Sequence, residues 1–253
     1  MRSSGDLEEV ASAINRPASR NSQPQQLSGL LWTVLLWFGA ALIATALGIA
    51  IGCGRTAQNA FFHTASRSYV QVFRNIPLLL QAFLWYFVFP ELLPSGLGSA
   101  IKNMPPPWAS FIPALIAVGL YTGARVAEQV RSGIQALPKG QREAAHALGL
   151  SNYSTYACVL VPQALRTMAP SLTSEALALL KNTSVAMTIG LLDLTAQAQQ
   201  MNEFTFRTFE SFGVVTLVYF ALSLGIYWIA TLISVRCSPA TKLATRSVKG
   251  NVR

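Results

Sequence analysis

From Leu27 to Gly54 the chain runs for 28 positions without one charged residue, and this run limits its possible folds more than any other feature. A helix needs roughly 20 apolar residues to cross the hydrocarbon of a bilayer, and it satisfies its backbone polar groups internally. A signal-peptide core is shorter, about 7 to 15 residues. Asp6, Glu8 and Glu9 also occupy the segment where such a peptide has its basic start. The run is therefore expected to be a retained first membrane helix. Ser211 to Val235 is equally free of charge and reads the same way.

Three further segments are apolar but interrupted. Tyr69 to Leu93 surrounds Pro77, Trp108 to Ile134 turns polar at Arg125, Glu128 and Arg131, and Thr167 to Leu192 contains Glu175 and Lys181. Together the five predict an all-α integral membrane protein of about five transmembrane helices. Composition agrees: only 11% of residues are charged, against about 25% in a soluble domain. With 52% hydrophobic residues and a mean hydropathy of +0.40, a disordered or disulfide-rich secreted chain is excluded. The expected organisation is a polar N-terminal tail (1–26), a membrane domain (27–236) with a loop at 136–150, and a basic tail (237–253).

An odd number of spans puts the termini on opposite sides, and the charges choose which. The tail carries Arg236, Lys242, Arg246, Lys249 and Arg253 with no acid. If it lies inside, the inner loops hold Arg55, Arg67, Arg74, Arg131, Lys139 and Arg142 against Glu143 alone. The outer segments then hold Asp6, Glu8, Glu9, Glu91, Asp193, Glu203 and Glu210 against Arg2, Arg16, Arg20, Lys102 and Arg207. Cytoplasmic loops are enriched in Lys and Arg, so the expectation is an outer N-terminus and an inner C-terminus. The net charge of +9 is absorbed by this asymmetry. Aromatic interleaving, which single-stranded nucleic-acid binding needs, is missing from the tail.

Catalytic and metal-binding patterns are absent. Cys53, Cys158 and Cys237 fall near predicted inner helix ends, where the cytosol keeps thiols reduced, and His63 and His146 stand far apart. There is no GxxxxGK[ST] loop, so the chain cannot cradle ATP phosphates in that manner. GxSxG and HExxH are absent too.

The inner loop between the third and fourth spans, Ala136 to Gly149, is the most informative stretch. Pro138 suits a first helical turn and Gly149 a C-terminal cap, delimiting a helix of about three turns. Ala144, Ala145, Ala147 and Leu148 give it a small-residue face that another protein can approach closely. A helix lying on the inner leaflet, or an ordinary connector, would show the same features.

The residues carry a resemblance that bears on this choice. Glu143-Ala144-Ala145, then Gly149 after three residues, then Val159-Leu160-Val161-Pro162 after nine, resembles the EAA-x3-G-x9-I-x-L-P signature of ABC importer permeases, with Val replacing Ile and Leu at two positions. Val72 to Gln81 is similar to the FRxxPLLxQ segment of the polar amino-acid uptake subfamily. Ala127 to Arg131 and Leu179 to Ser184 also match, so the motifs cover most of the chain from about Tyr69 to Asp193. The resemblance implies the type I ABC importer permease fold in a bacterial inner membrane. In such a permease the loop is a coupling helix docked on an ATP-binding cassette subunit, with Glu143, Ala144, Ala145 and Gly149 at that interface. It implies a second permease subunit, the same or homologous, and a periplasmic solute-binding protein. The chain itself would hold no cofactor, ATP and Mg being bound by the partner ATPase.

Ionisable residues inside spans are costly and usually face a bundle interior or a polar pathway. Arg125 and Glu128, at spacing i, i+3, read either as a structural pair or as a guanidinium fork for a substrate carboxylate with its resting partner. Glu175, Lys181 and Asn182 crowd the fourth span in the same way. Tyr121 to Arg131, Thr173-Ser174-Glu175 and Phe83 to Pro94 are most similar to the glutamate/aspartate branch, whereas cationic amino-acid permeases tend to carry Asp at the position of Asn182. An acidic amino-acid substrate is therefore expected. The alternatives are a neutral polar substrate such as glutamine or, in another class, a membrane-embedded enzyme or scaffold, against which the missing catalytic constellation argues.

Overall fold

The computed structural model describes residues 22–57, 59–138 and 140–237. The chain's first 21 residues, Lys139 of the inner loop, and Lys242, Arg246, Lys249 and Arg253 of the basic tail lie outside the described residues. Within them the elements are α1 (Ser22–Gly54), α2 (Ala60–Asn75), α3 (Leu78–Leu92), α4 (Ser95–Lys102), α5 (Trp108–Gln135), α6 (Gly140–Ala147), α7 (152–167), α8 (Ala169–Asn182, tightening into a 3-10 turn over Thr183–Ile189), α9 (Leu194–Thr205) and α10 (Thr208–Cys237).

Among the described residues, three helices are long and apolar enough to cross a membrane: Leu27–Gly54, Trp108–Gln135 and Thr208–Ile233. Two bent pairs, α2 with α3 and α8 with α9, bring the number to five if each pair is one span. The all-α architecture is as the sequence predicts, but two spans have other boundaries.

The second span, expected as Tyr69 to Leu93, begins at Ala60 and turns by 102° after Asn75. Pro77 forces the turn. It has no N–H to offer, and it pushes the residue before it out of the helical region, so Ile76 is extended at φ −84°, ψ 127°. The break leaves carbonyls without their helical partners, and Gln81 takes up two of them: its Nε2 donates to Phe73 O at 2.7 Å and Ile76 O at 2.9 Å. The fourth span, expected as Thr167 to Leu192, starts at Ala169 and stops at Gly190, whose φ of +84° only glycine adopts freely. Asp193 then starts α9, its carboxylate accepting from the Ala196 N–H at 2.9 Å.

Helix α5 is the axis of the bundle. Its apolar window is 61% buried, against 22% for α1 and 6% for α10. One core cluster joins Leu36 and Ala40 of α1 to Ala114, Ala117 and Val118 of α5 and Leu179 of α8. A second, toward the C-terminal end of α5, joins Val126, Val130 and Ile134 to Leu160, Ala164 and Met168. Apolar lipid supplies no hydrophobic force between spans, so association depends on close contact of small residues. A Cβ on Gly48 would lie 2.4 Å from Val126 Cγ1, and one on Gly52 would lie 2.5 Å from Val130 Cβ and 2.9 Å from the Ala127 carbonyl oxygen. No side chain fits there.

Gly52→Leu should therefore lower the yield of folded, monodisperse protein severalfold, in line with an overpacking cost of about 1 to 3 kcal/mol. At Gly225 a Cβ meets nothing within 4 Å, and Gly225→Leu should leave the yield unchanged. Fluorescence-detected size exclusion of tagged variants measures both, and equal yields would mean that α1 and α5 do not depend on this contact.

Candidate functional site

Two of the charged residues expected in the membrane meet. Arg125 of α5 and Glu175 of α8 form a bidentate pair, Nε to Oε2 at 2.8 Å and Nη2 to Oε1 at 2.9 Å. Such a fork is the strong form of a carboxylate contact. The two partners are not equally accessible: the Arg125 side chain is 40% exposed and that of Glu175 only 11%. The Tyr121 ring lies one turn back, its centroid 6.0 Å from the guanidinium carbon. Behind Glu175 a cavity of about 110 Å³ opens between α1, α5, α7 and α8, lined in part by Thr45 and Thr122.

Glu128 is not the partner of Arg125, and the expected i, i+3 pair is corrected. Its carboxylate instead binds Arg131 on its own helix, Oε1 accepting from Nε at 2.9 Å and Nη2 at 2.5 Å. It also binds Arg55, just past the end of α1, and lies 3.9 Å from Arg74 near the end of α2. The spacing i, i+3 is satisfied on either side of Glu128. Arg125 turns away because the carboxylate of Glu175 across the bundle offers it both oxygens. Three guanidiniums thus share one carboxylate, and the ends of α1 and α2 are tied to α5. Burial, together with Arg131, Arg67 and Arg74 nearby, lowers the Arg55 proton affinity below its ordinary value.

Lys181 is exposed and Asn182 half-buried. They lie about 9 to 10 Å further along α8 from Glu175, at 1.5 Å per residue, so the fourth-span cluster expected from the sequence is spread over two turns. Asp193, counted among the outer charges, is fully buried. Its surroundings are the Ala196 N–H, Tyr219 Oη at 3.5 Å, and Thr33, whose hydroxyl accepts from the Leu194 N–H at 3.0 Å. The signal was there in the sequence: an Asp before a helical run is an N-cap.

Helix α6 is shorter than the expected three turns. Pro138 stays outside it, its carbonyl accepting from the Gln141 N–H at 3.1 Å. The cap at Gly149 is as the sequence predicts. With φ +77°, Gly149 donates to His146 O at 2.9 Å while Leu150 donates to Ala145 O at 3.1 Å, the paired bonds of a Schellman motif. Glu143, Ala144 and Gly149 are exposed, whereas Ala145 is 3% exposed and faces the chain itself. Arg142 stacks over Tyr156 at 5.3 Å, and Tyr156 Oη donates to Thr56 O at 2.8 Å. Helix α6 is thereby joined to the segment after α1.

The residues that sequence reasoning missed are Arg55, Arg74 and Arg131 as partners of Glu128, and Thr122. The Thr122 side chain is buried at 3% exposure and its Oγ1 makes no hydrogen bond. It lies one turn from Arg125 inside the matching segment Tyr121 to Arg131, but no charge or spacing of its own singled it out.

A family model described as "Binding-protein-dependent transport system inner membrane component" matches residues 44–238. The glutamate/aspartate import permease protein GltJ of Escherichia coli is 42% identical over 207 residues, 81% of this chain and 84% of that protein. The arginine transport system permease protein ArtQ of Bacillus subtilis is 33% identical, over 79% and 87%. Among solved structures, that of an amino acid ABC transporter with histidines superimposes with a TM-score of 0.69 at 32% identity, covering 85% of this chain and 94% of the other. An inward-facing MetNI methionine transporter gives 0.67 at 18% identity, over 85% and 96%, which is a likeness of fold.

Proposed function

The chain belongs to the family of binding-protein-dependent transport system inner membrane components, and from that membership we propose that it is the permease subunit of an ATP-driven importer carrying glutamate and aspartate from periplasm to cytoplasm. The observation that carries the substrate is the Arg125–Glu175 pair inside the spans. A half-exposed guanidinium held in a fork by a carboxylate is a site preformed for carboxylate, and GltJ supports the same substrate class. The exposed Glu143, Ala144 and Gly149 form the surface on which an ATP-binding cassette subunit docks, and Ala145 seats α6 against the rest of the permease. ATP and Mg belong to that partner. A second permease subunit completes the pathway and a periplasmic solute-binding protein delivers the amino acid. The N-terminus is periplasmic and the C-terminus cytoplasmic, as the loop charges require.

Orientation is tested by labelling. A cysteine at Asn202 should react with an impermeant maleimide from the periplasmic side, and one at Gly140 only after permeabilisation. The opposite pattern would invert the assignment.

Coupling is tested at Gly149. A Cβ there meets nothing within 4 Å of the chain itself, and Asp tolerates the left-handed conformation better than most residues. Gly149→Asp should therefore insert and fold but lose most ATP-driven uptake, as a charge now meets the docked subunit. Normal uptake with a bound ATPase would remove Gly149 from the contact.

Substrate choice is tested at Arg125. A hydrogen bond to a charged group is worth about 1.5 to 3 kcal/mol, or roughly one to two decades in affinity. Arg125→Gln also leaves Glu175 unpaired, so uptake is normalised to assembled complex. Glutamate and aspartate uptake should then fall far more than glutamine uptake, and Arg125→Lys should recover only part because the fork is lost. Equal losses for acidic and neutral substrates would make Arg125 structural.

A further inference from the structure

The carboxylate of Glu175 stands between two different environments. On one side is the half-exposed Arg125. On the other is the cavity of about 110 Å³, where the Thr122 hydroxyl, buried and without a hydrogen bond, and the Thr45 side chain contribute to a lining that is otherwise aliphatic or alanine. A buried hydroxyl without a partner costs about 1 to 3 kcal/mol, and Thr122, whose Oγ1 is closed off and unpaired, lines this cavity together with Glu175. An alkylammonium group carries three donors and no acceptor. A carboxylate and two hydroxyl oxygens around one cavity are what such a group requires.

We infer that this cavity receives the α-ammonium group of the transported amino acid, with Glu175 as its counter-ion and Thr122 as a hydrogen-bond partner. The inference rests on the reading of Arg125 as the carboxylate site, and it explains how the resting pair opens. Pulling Arg125 and Glu175 apart in an apolar medium would leave two uncompensated charges, an outcome too costly to occur unaided. A zwitterionic ligand replaces each lost partner with a new one: its carboxylate takes the guanidinium and its ammonium takes Glu175. Glu175 lines the cavity and Arg125 does not, so the ligand groups that reach the cavity and the guanidinium are separated by a chain. The side-chain carboxylate of an acidic amino acid meets that condition, whereas the α-carboxylate shares a carbon with the ammonium. The Thr122 hydroxyl oxygen then accepts from the α-ammonium.

Glutarate provides the test, because it has both carboxylates of glutamate and lacks the ammonium. Binding of tritiated L-glutamate to the assembled permease–ATPase complex, without the solute-binding protein, is competed with unlabelled glutamate or glutarate. The wild-type complex should prefer glutamate. Glu175→Gln should weaken glutamate by roughly ten- to a hundredfold, the value of a hydrogen bond to a charged group, while glutarate, which no longer has to displace a carboxylate from Arg125, binds at least as well as before, so the preference collapses. Thr122→Val, nearly isosteric, should weaken glutamate by about three- to tenfold, as for a neutral hydrogen bond, and should spare glutarate. An unchanged glutamate-to-glutarate ratio in Glu175→Gln overturns the assignment. If that variant does not assemble, an unchanged ratio in Thr122→Val overturns it equally. Arg125→Gln separates the two levels. If it keeps full glutamate affinity, the carboxylate site itself is misplaced; if it loses affinity while the other variants keep their ratio, only the ammonium pocket is rejected.

Discussion

A charge inside an apolar slab must bring its own counter-charge, and the arrangement of this bundle follows from that requirement. Arg125 would be expensive anywhere in α5 without an acid within reach, and the acid comes from α8, 50 residues later in the chain. The two helices are thereby fixed in register and rotation at one level. Glu128 does the same a turn further along, fastening the ends of α1 and α2 to α5 through Arg55, Arg74 and Arg131. The first site is balanced, one cation against one anion. The second carries an excess of positive charge, three guanidiniums against one carboxylate.

The same economy governs the backbone. The sharp turn at Pro77 leaves carbonyls without helical partners, and Gln81 covers two of them. The Pro and Gln of that sequence motif are thus one device, in which the first breaks the helix and the second satisfies the break. The 3-10 turn that ends α8 at Gly190, with the Asp193 cap that begins α9, is a second solution to the same problem.

The sequence made some features legible and hid others, for identifiable reasons. Charge-free length is a one-dimensional property, so α1 and α10 could be delimited closely. Gly149 was readable because a cap is local: the positive φ and the carbonyls it serves lie within five residues. Partner choice is not local. Arg125 had Glu128 at helical spacing and Glu175 far away in sequence, and only the packing of α5 against α8 decides between them. Thr122 and its cavity belong to four helices at once, and no window of sequence contains such an object. Asp193 failed differently: its N-cap position was visible, but its burial depends on Thr33 and Tyr219 from either end of the chain.

The glycine face of α1 also bears on how the molecule is made. Helix α1 is synthesised first, and the positions that fill the grooves at Gly48 and Gly52 follow more than 70 residues later, on α5. In water an unfilled face of this kind would invite the wrong partner while it waited. In lipid it is solvated by acyl chains and can remain single at little cost, since nothing in that medium drives apolar surfaces together. The delay between the two helices is then harmless, and a shape-specific contact can be left until about half of the chain has been made.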